Sequence, residues 1–99
     1  MRMVLKAKIP VEAGNEAIRN GTLSKIIENV SAALKPEASY FTSDEGDRTA
    51  FFYFDMQDSS QLPVCCEPFF LDLNAKVTVQ PVMNADDVLK GMRDLQGGS

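Results

Sequence analysis

Few residues in this chain have chemistry to offer. Lys6, Lys8, Tyr40, Tyr53 and Thr78 are polar groups on segments that otherwise look like apolar strands, and Phe51 stands beside Tyr53 in the run TAFFYFD. A lysine and one or two tyrosine hydroxyls in apolar surroundings suit a small anionic or phenolic ligand. A desolvated Lys6 could act as a base, because burial lowers the pKa of a lysine. The plainer reading is that the lysines reach solvent at a rim and the tyrosines only pack. Histidine is absent from the sequence. That excludes Ser-His-Asp and Cys-His catalysis, histidine-ligated haem and histidine-containing zinc sites within this chain.

Cys65 and Cys66 are neighbours. A bond between them would close a strained ring, and two thiols alone cannot complete a four-ligand zinc site. No lysine or arginine lies within four positions to favour a thiolate, and Glu67 beside them opposes one. They are expected as small buried hydrophobes. Asp86 and Asp87 suit the first turn of a helix better than a metal, and Asp47-Arg48 is expected to finish a solvated hairpin. The six glycines never approach phosphate-loop spacing. No metal, no cofactor and no named catalytic residue are therefore expected.

The elements that position these groups follow from periodicity. Met3, Leu5, Ala7 and Ile9 alternate with Arg2, Val4, Lys6 and Lys8, a strand that ends at Pro10. A helical stretch starts near Glu12, with a break expected near Gly21, and its second part carries Leu23, Ile26, Ile27, Val30 and Leu34 on one stripe. Pro36 ends it. Ala38–Ser43 and Thr49–Asp55 are strands joined by the turn residues Asp44-Glu45-Gly46-Asp47. A helix capped from Asp58, Ser59 or Ser60 carries Leu62, Cys65, Cys66, Phe69 and Leu73, with Pro68 as either a kink or a new start. Ala75–Val82 is a fourth strand. Asn84 then caps a last helix striped by Val88, Leu89, Met92 and Leu95.

The order β-α-β-β-α-β plus a short helix predicts an α+β fold. Its expected form is ferredoxin-like, with a four-stranded antiparallel sheet and both main helices on one face. The 99 residues make one domain over 1–96, with 97–99 expected as a disordered tail. Ten basic against 14 acidic residues give a net charge of −4, which disfavours nucleic acid and anionic membrane as partners. An RNA-recognition domain shares the element order, but the first strand RMVLKAKI lacks the stacking aromatic that such a domain needs. No apolar run approaches the roughly 20 residues of a membrane span, and no signal-peptide core follows the start. A cytoplasmic address is expected.

Phe51 and Tyr53 share the strand face that helices would leave uncovered, and two buried aromatics represent roughly 300–500 Å² of surface. The economical cover is a second copy of the chain, sheet against sheet. The stretches KPEASYFT, RTAFFYFDM and EPFFLDLNAKVTVQPVMNADD resemble a family of short uncharacterised bacterial proteins in the dimeric α+β barrel superfamily. The resemblance spans Met1 to about Leu95 and implies a dimeric α/β barrel. The superfamily holds cofactor-independent monooxygenases, muconolactone isomerases, stress-responsive barrel proteins and chlorite dismutases. Several place histidine or tryptophan in their pockets, and this chain has neither, so no activity transfers by residue. The expected function is a homodimeric small-molecule-binding or regulatory protein with an apolar pocket. Lys6, Phe51, Tyr53, Tyr40 and Thr78 are its expected lining, and its partners would be a second copy and a small hydrophobic ligand. The alternative is a cofactor-independent enzyme, monooxygenase- or isomerase-like, acting on a small hydrophobic or aromatic metabolite. The second strand has no pattern that sets its register, so either Tyr40 or Phe41 could face the interior.

Overall fold

The computed structural model describes residues 1–97. Alternation in the first segment produces strand β1, Arg2–Ile9, with Met3, Leu5, Ala7 and Ile9 all buried. Pro10 stops it, and two helices follow, α1 (Val11–Arg19) and α2 (Thr22–Leu34). The break falls where glycine allows it: Gly21 has φ +80°, a conformation that side chains with a Cβ rarely adopt. Strands β2 (Ala38–Asp44) and β3 (Asp47–Asp55) form a hairpin through Glu45 and Gly46, both at positive φ. That geometry matches the twist of the paired strands.

Helix α3, Gln61–Leu73, runs through Pro68 without ending, so the proline sits inside one continuous helix. Strand β4 covers Lys76–Pro81 and helix α4 covers Ala85–Leu95. Gly97 adopts φ +78° just beyond α4; the rest of the expected tail, residues 98 and 99, lies outside the described residues.

The sheet is antiparallel and open, in the order β2-β3-β1-β4. Helices α1 to α3 cover one face. There Leu5, Ala7, Phe52 and Phe54 pack with Ala17, Ile26, Val30, Leu34, Cys65, Phe69 and Leu73. Phe52 and Phe69, both fully buried, sit with ring centroids 6.2 Å apart. Area removed from water by these side chains is the main force holding sheet and helices together. Among the described residues, no helix is long and apolar enough to cross a membrane.

Helix α4 does not join this core. None of its residues is buried, and Leu89 and Leu95 are 55% and 77% exposed. The molecule is drawn out accordingly, 55 Å along its longest axis and 18 Å along its shortest.

Candidate functional site on the open sheet face

Strand register decides which side chains share the uncovered face. Tyr40 pairs with Phe51, Phe51 with Lys6 and Lys6 with Thr78, so these four residues form one cross-strand row over all four strands. Tyr53 stands in the next row with Val4 on β1 and Ala38 on β2. The five residues singled out by the sequence are therefore neighbours on one surface. Register also settles the second strand: Tyr40 faces the open side, whereas Phe41 pairs with Ala50 and packs edge-on against Phe52 at 5.8 Å on the helix side.

The open face is only partly wet. Phe51 and Tyr53 are half-buried, while Tyr40 at the sheet edge is 64% exposed. The two tyrosine rings meet edge to face with centroids 6.4 Å apart, a favoured aromatic geometry. Lys6 Nζ lies 5.8 Å from the Phe51 ring centroid and 2.9 Å from Asp44 Oδ2. The lysine is thus held across the aromatic row instead of extending freely to solvent. Its hydrogen bond and charge keep the Asp44 carboxyl below the usual carboxylate range. Lys8 reaches Glu45 at 3.3 Å, at the hairpin end of the same face.

The Lys6–Asp44 pair has a defined pH signature. Because the folded-state pKa of Asp44 is depressed, its stabilisation is fully present above the ordinary carboxylate value and is lost as pH falls through the folded value. Lys6→Met should therefore destabilise at neutral pH, and the gap to wild type should narrow near about pH 3, below the ordinary Asp value of about 3.9. Urea unfolding at the two pH values checks this; an equal gap at both would show that the charge pair contributes nothing.

Cys65 is buried as expected, whereas Cys66 is only partly buried. Burial pushes Cys65 up to about 12 and raises Cys66 as well. Cys65 donates to the Leu62 carbonyl, and the two sulfurs are 3.9 Å apart without a bond. A neutral thiol is a weak nucleophile. Iodoacetamide should leave Cys65 unmodified in the native protein and alkylate it only after unfolding, as read by intact-mass spectrometry. Rapid native labelling of both sulfurs would contradict this account.

Arg48 departs from the expected solvated hairpin. Its strand parity, shared with Ala50, Phe52 and Phe54, turns it toward the helices. There it donates to Asn15 Oδ1 at 3.0 Å and to the Val11 carbonyl at 3.4 Å. Gly14 makes the room, because a Cβ there would stand 2.6 Å from Arg48 Nη1. The one signal in the sequence was its strand parity with Ala50, Phe52 and Phe54. Beside Arg48, Ile9, Leu23, Ile27, Phe41 and Phe69 line a cavity of about 380 Å³. Arg48 has no carboxylate partner within 4.0 Å among the described residues.

A larger cleft of about 660 Å³ opens beside the start of β1 and the end of β4. Most of its charges are matched internally: the Met1 amino group meets Asp55 at 2.7 Å, and Arg2 meets Glu37 at 2.7 Å and Asp87 at 4.0 Å, while Lys35 also lines the cleft outside these pairs. No cluster of three or more His, Cys, Asp or Glu residues that could hold a metal occurs among the described residues. No family model matches the chain, and no curated protein sequence matches it.

Proposed function

We propose that the chain is a homodimeric small-molecule-binding or regulatory protein, two ferredoxin-like subunits closing their open sheet faces into an α/β barrel. The observation that carries this reading is the single row Tyr40–Phe51–Lys6–Thr78, with Tyr53 beside it, on a face no helix covers. A second copy would remove the aromatics from water and leave the Lys6–Asp44 pair and several hydroxyls facing an apolar interior. That chemistry fits a small aromatic carboxylate or phenolate, recognised by the Lys6 ammonium and the tyrosine hydroxyls.

Binding is favoured over catalysis by the Lys6–Asp44 pair. An ion pair at 2.9 Å uses the ammonium form, which has no lone pair to offer as a general base. A cofactor-independent enzyme is the alternative on this face, and it would need Lys6 released from Asp44.

A second location for the ligand is supported by the 380 Å³ cavity on the helix side. Its apolar walls and the carboxylate-free Arg48 suit an amphipathic carboxylate.

Amide NMR titration with a panel of small aromatic carboxylates and phenols tests both locations. Shifts at Lys6, Phe51, Tyr53 and Thr78 are expected. Shifts confined to Ile9, Leu23, Ile27 and Phe69 would move the site to the helix side, and an unresponsive spectrum across the panel would contradict ligand binding.

A further inference from the structure

Arg48 is a cation set beside an apolar cavity with no anion to meet it. The chain has 14 acidic residues, yet no carboxylate lies within 4.0 Å of this guanidinium among the described residues. The group is fixed in place all the same. Nη2 donates to Asn15 Oδ1 at 3.0 Å and Nη1 to the Val11 carbonyl at 3.4 Å, both on α1. A guanidinium carries five N–H donors in a planar fork, so these two contacts leave three. The fork is thus held ready for a carboxylate that the chain itself does not supply.

The space in front of Arg48 has its cause in the strand register. On the helix side, Arg48 and Ile9 form one cross-strand row, Ala50 and Ala7 the next, and Phe52 and Leu5 the one after. The alanines are short between longer neighbours, and Ala50 lines the cavity. Phe41 belongs to the alanine row and packs against Phe52, yet it is 54% exposed. The helix layer therefore stops short of the edge strand, and the cavity opens beside β2.

Its polarity runs one way. Polar residues in the lining are confined to the hairpin end, at Arg48, Thr42 and Thr49, and the Thr49 hydroxyl already donates to the Asp47 carbonyl. Beyond them the walls are Leu23, Ile27, Phe41 and Phe69. A ligand with a second polar group, a phenol acid or a dicarboxylate, would bury it there without a partner, which is costly. A ligand with one charged end and an aliphatic tail meets no such cost. At about 380 Å³, the cavity exceeds twice the roughly 150 Å³ that admits a benzene.

We infer that this cavity is a site for an aliphatic monocarboxylic acid of roughly eight to twelve carbons, its carboxylate on the Arg48 fork and its tail against Leu23, Ile27 and Phe69. The inference rests on the helix-side location given above and is independent of the sheet-face dimer.

Decanoate and decanol, each kept below its aggregation limit, test it by amide NMR titration of the full chain at pH 7. Decanoate is expected to shift Ile9, Leu23, Ile27, Arg48 and Ala50. It should bind at least tenfold more tightly than decanol, because an arginine–carboxylate contact is charge-assisted. Arg48→Met should bring decanoate to the level of decanol, and Ala50→Leu, which fills the floor, should weaken both tenfold or more. The acid-to-alcohol comparison uses the wild-type chain, so it stands whether or not either variant folds. Equal affinity for acid and alcohol, an unresponsive spectrum with decanoate, or undiminished decanoate binding in folded Arg48→Met would overturn the inference. Failure of the two readings is separable. Decanoate shifts confined to Lys6, Phe51, Tyr53 and Thr78 would remove this site and leave the open-face one. A chain that takes up decanoate beside Arg48 yet stays monomeric would sink the sheet-face dimer and leave this site intact.

Discussion

Phe52→Ala should remove about 3–5 kcal/mol of unfolding free energy, the usual cost of truncating a fully buried phenylalanine. Phe52 has no exposed surface and meets Phe69 from α3 on one side and Phe41 from β2 on another. Its loss therefore opens a void where the central strand, an edge strand and a helix converge. The two surrounding rings belong to separate elements and can collapse only partly, which is why the cavity adds to the lost transfer energy. Domains of this size have only about 5–15 kcal/mol of stability in all. The variant should consequently sit near the edge of folding, with a clearly lowered urea midpoint at unchanged slope. A loss below about 1 kcal/mol would mean that the helix layer does not rest on this ring.

One residue earlier, the opposite result is expected. Phe51→Glu should leave the monomer folded and weaken self-association by at least about 30-fold, the equivalent of losing a hot spot of 2 kcal/mol or more. Phe51 is half-buried on the open face with Lys6 as its cross-strand neighbour. A glutamate there can pair with that lysine across the strands, so the subunit tolerates it. In a closed interface the same carboxylate would be taken out of water, and a desolvated charge costs several kcal/mol unless it is paired. Sedimentation equilibrium and urea unfolding on the one variant separate the two effects. Reduced stability with unchanged mass would place Phe51 in the subunit core instead of the interface.

The contrast between these adjacent residues shows how far the sequence carries. A period of two sorted Phe52 and Phe54 from Phe51 and Tyr53, and it set Lys6 on the same side as Phe51, because alternation is dictated by strand geometry itself. The break at Gly21, the hairpin at Glu45-Gly46 and the cap at Asn84 were equally readable, each from a residue with a specific backbone or capping preference. Register was not readable for β2. ASYFTSD has no clean alternation, so only pairing with β3 could decide between Tyr40 and Phe41.

Arg48 escaped for a related reason. A charged residue beside a turn normally points to water, and its inward parity counts only once Gly14 is known to approach it. The Lys6–Asp44 pair joins residues 38 apart in the chain, on strands that are not adjacent. Nothing local announces it. The apolar stripe of α4 was legible, but its isolation from the core was not, since a stripe specifies that something must be covered and leaves open by what.

Sheet-face association of two copies is the claim on which the proposed chamber depends. Light scattering on a sizing column over a dilution series tests it most directly. A species near twice 10.9 kDa that persists on dilution is the predicted result, whereas a monomer of 10.9 kDa that stays monomeric at the highest concentration would contradict the account.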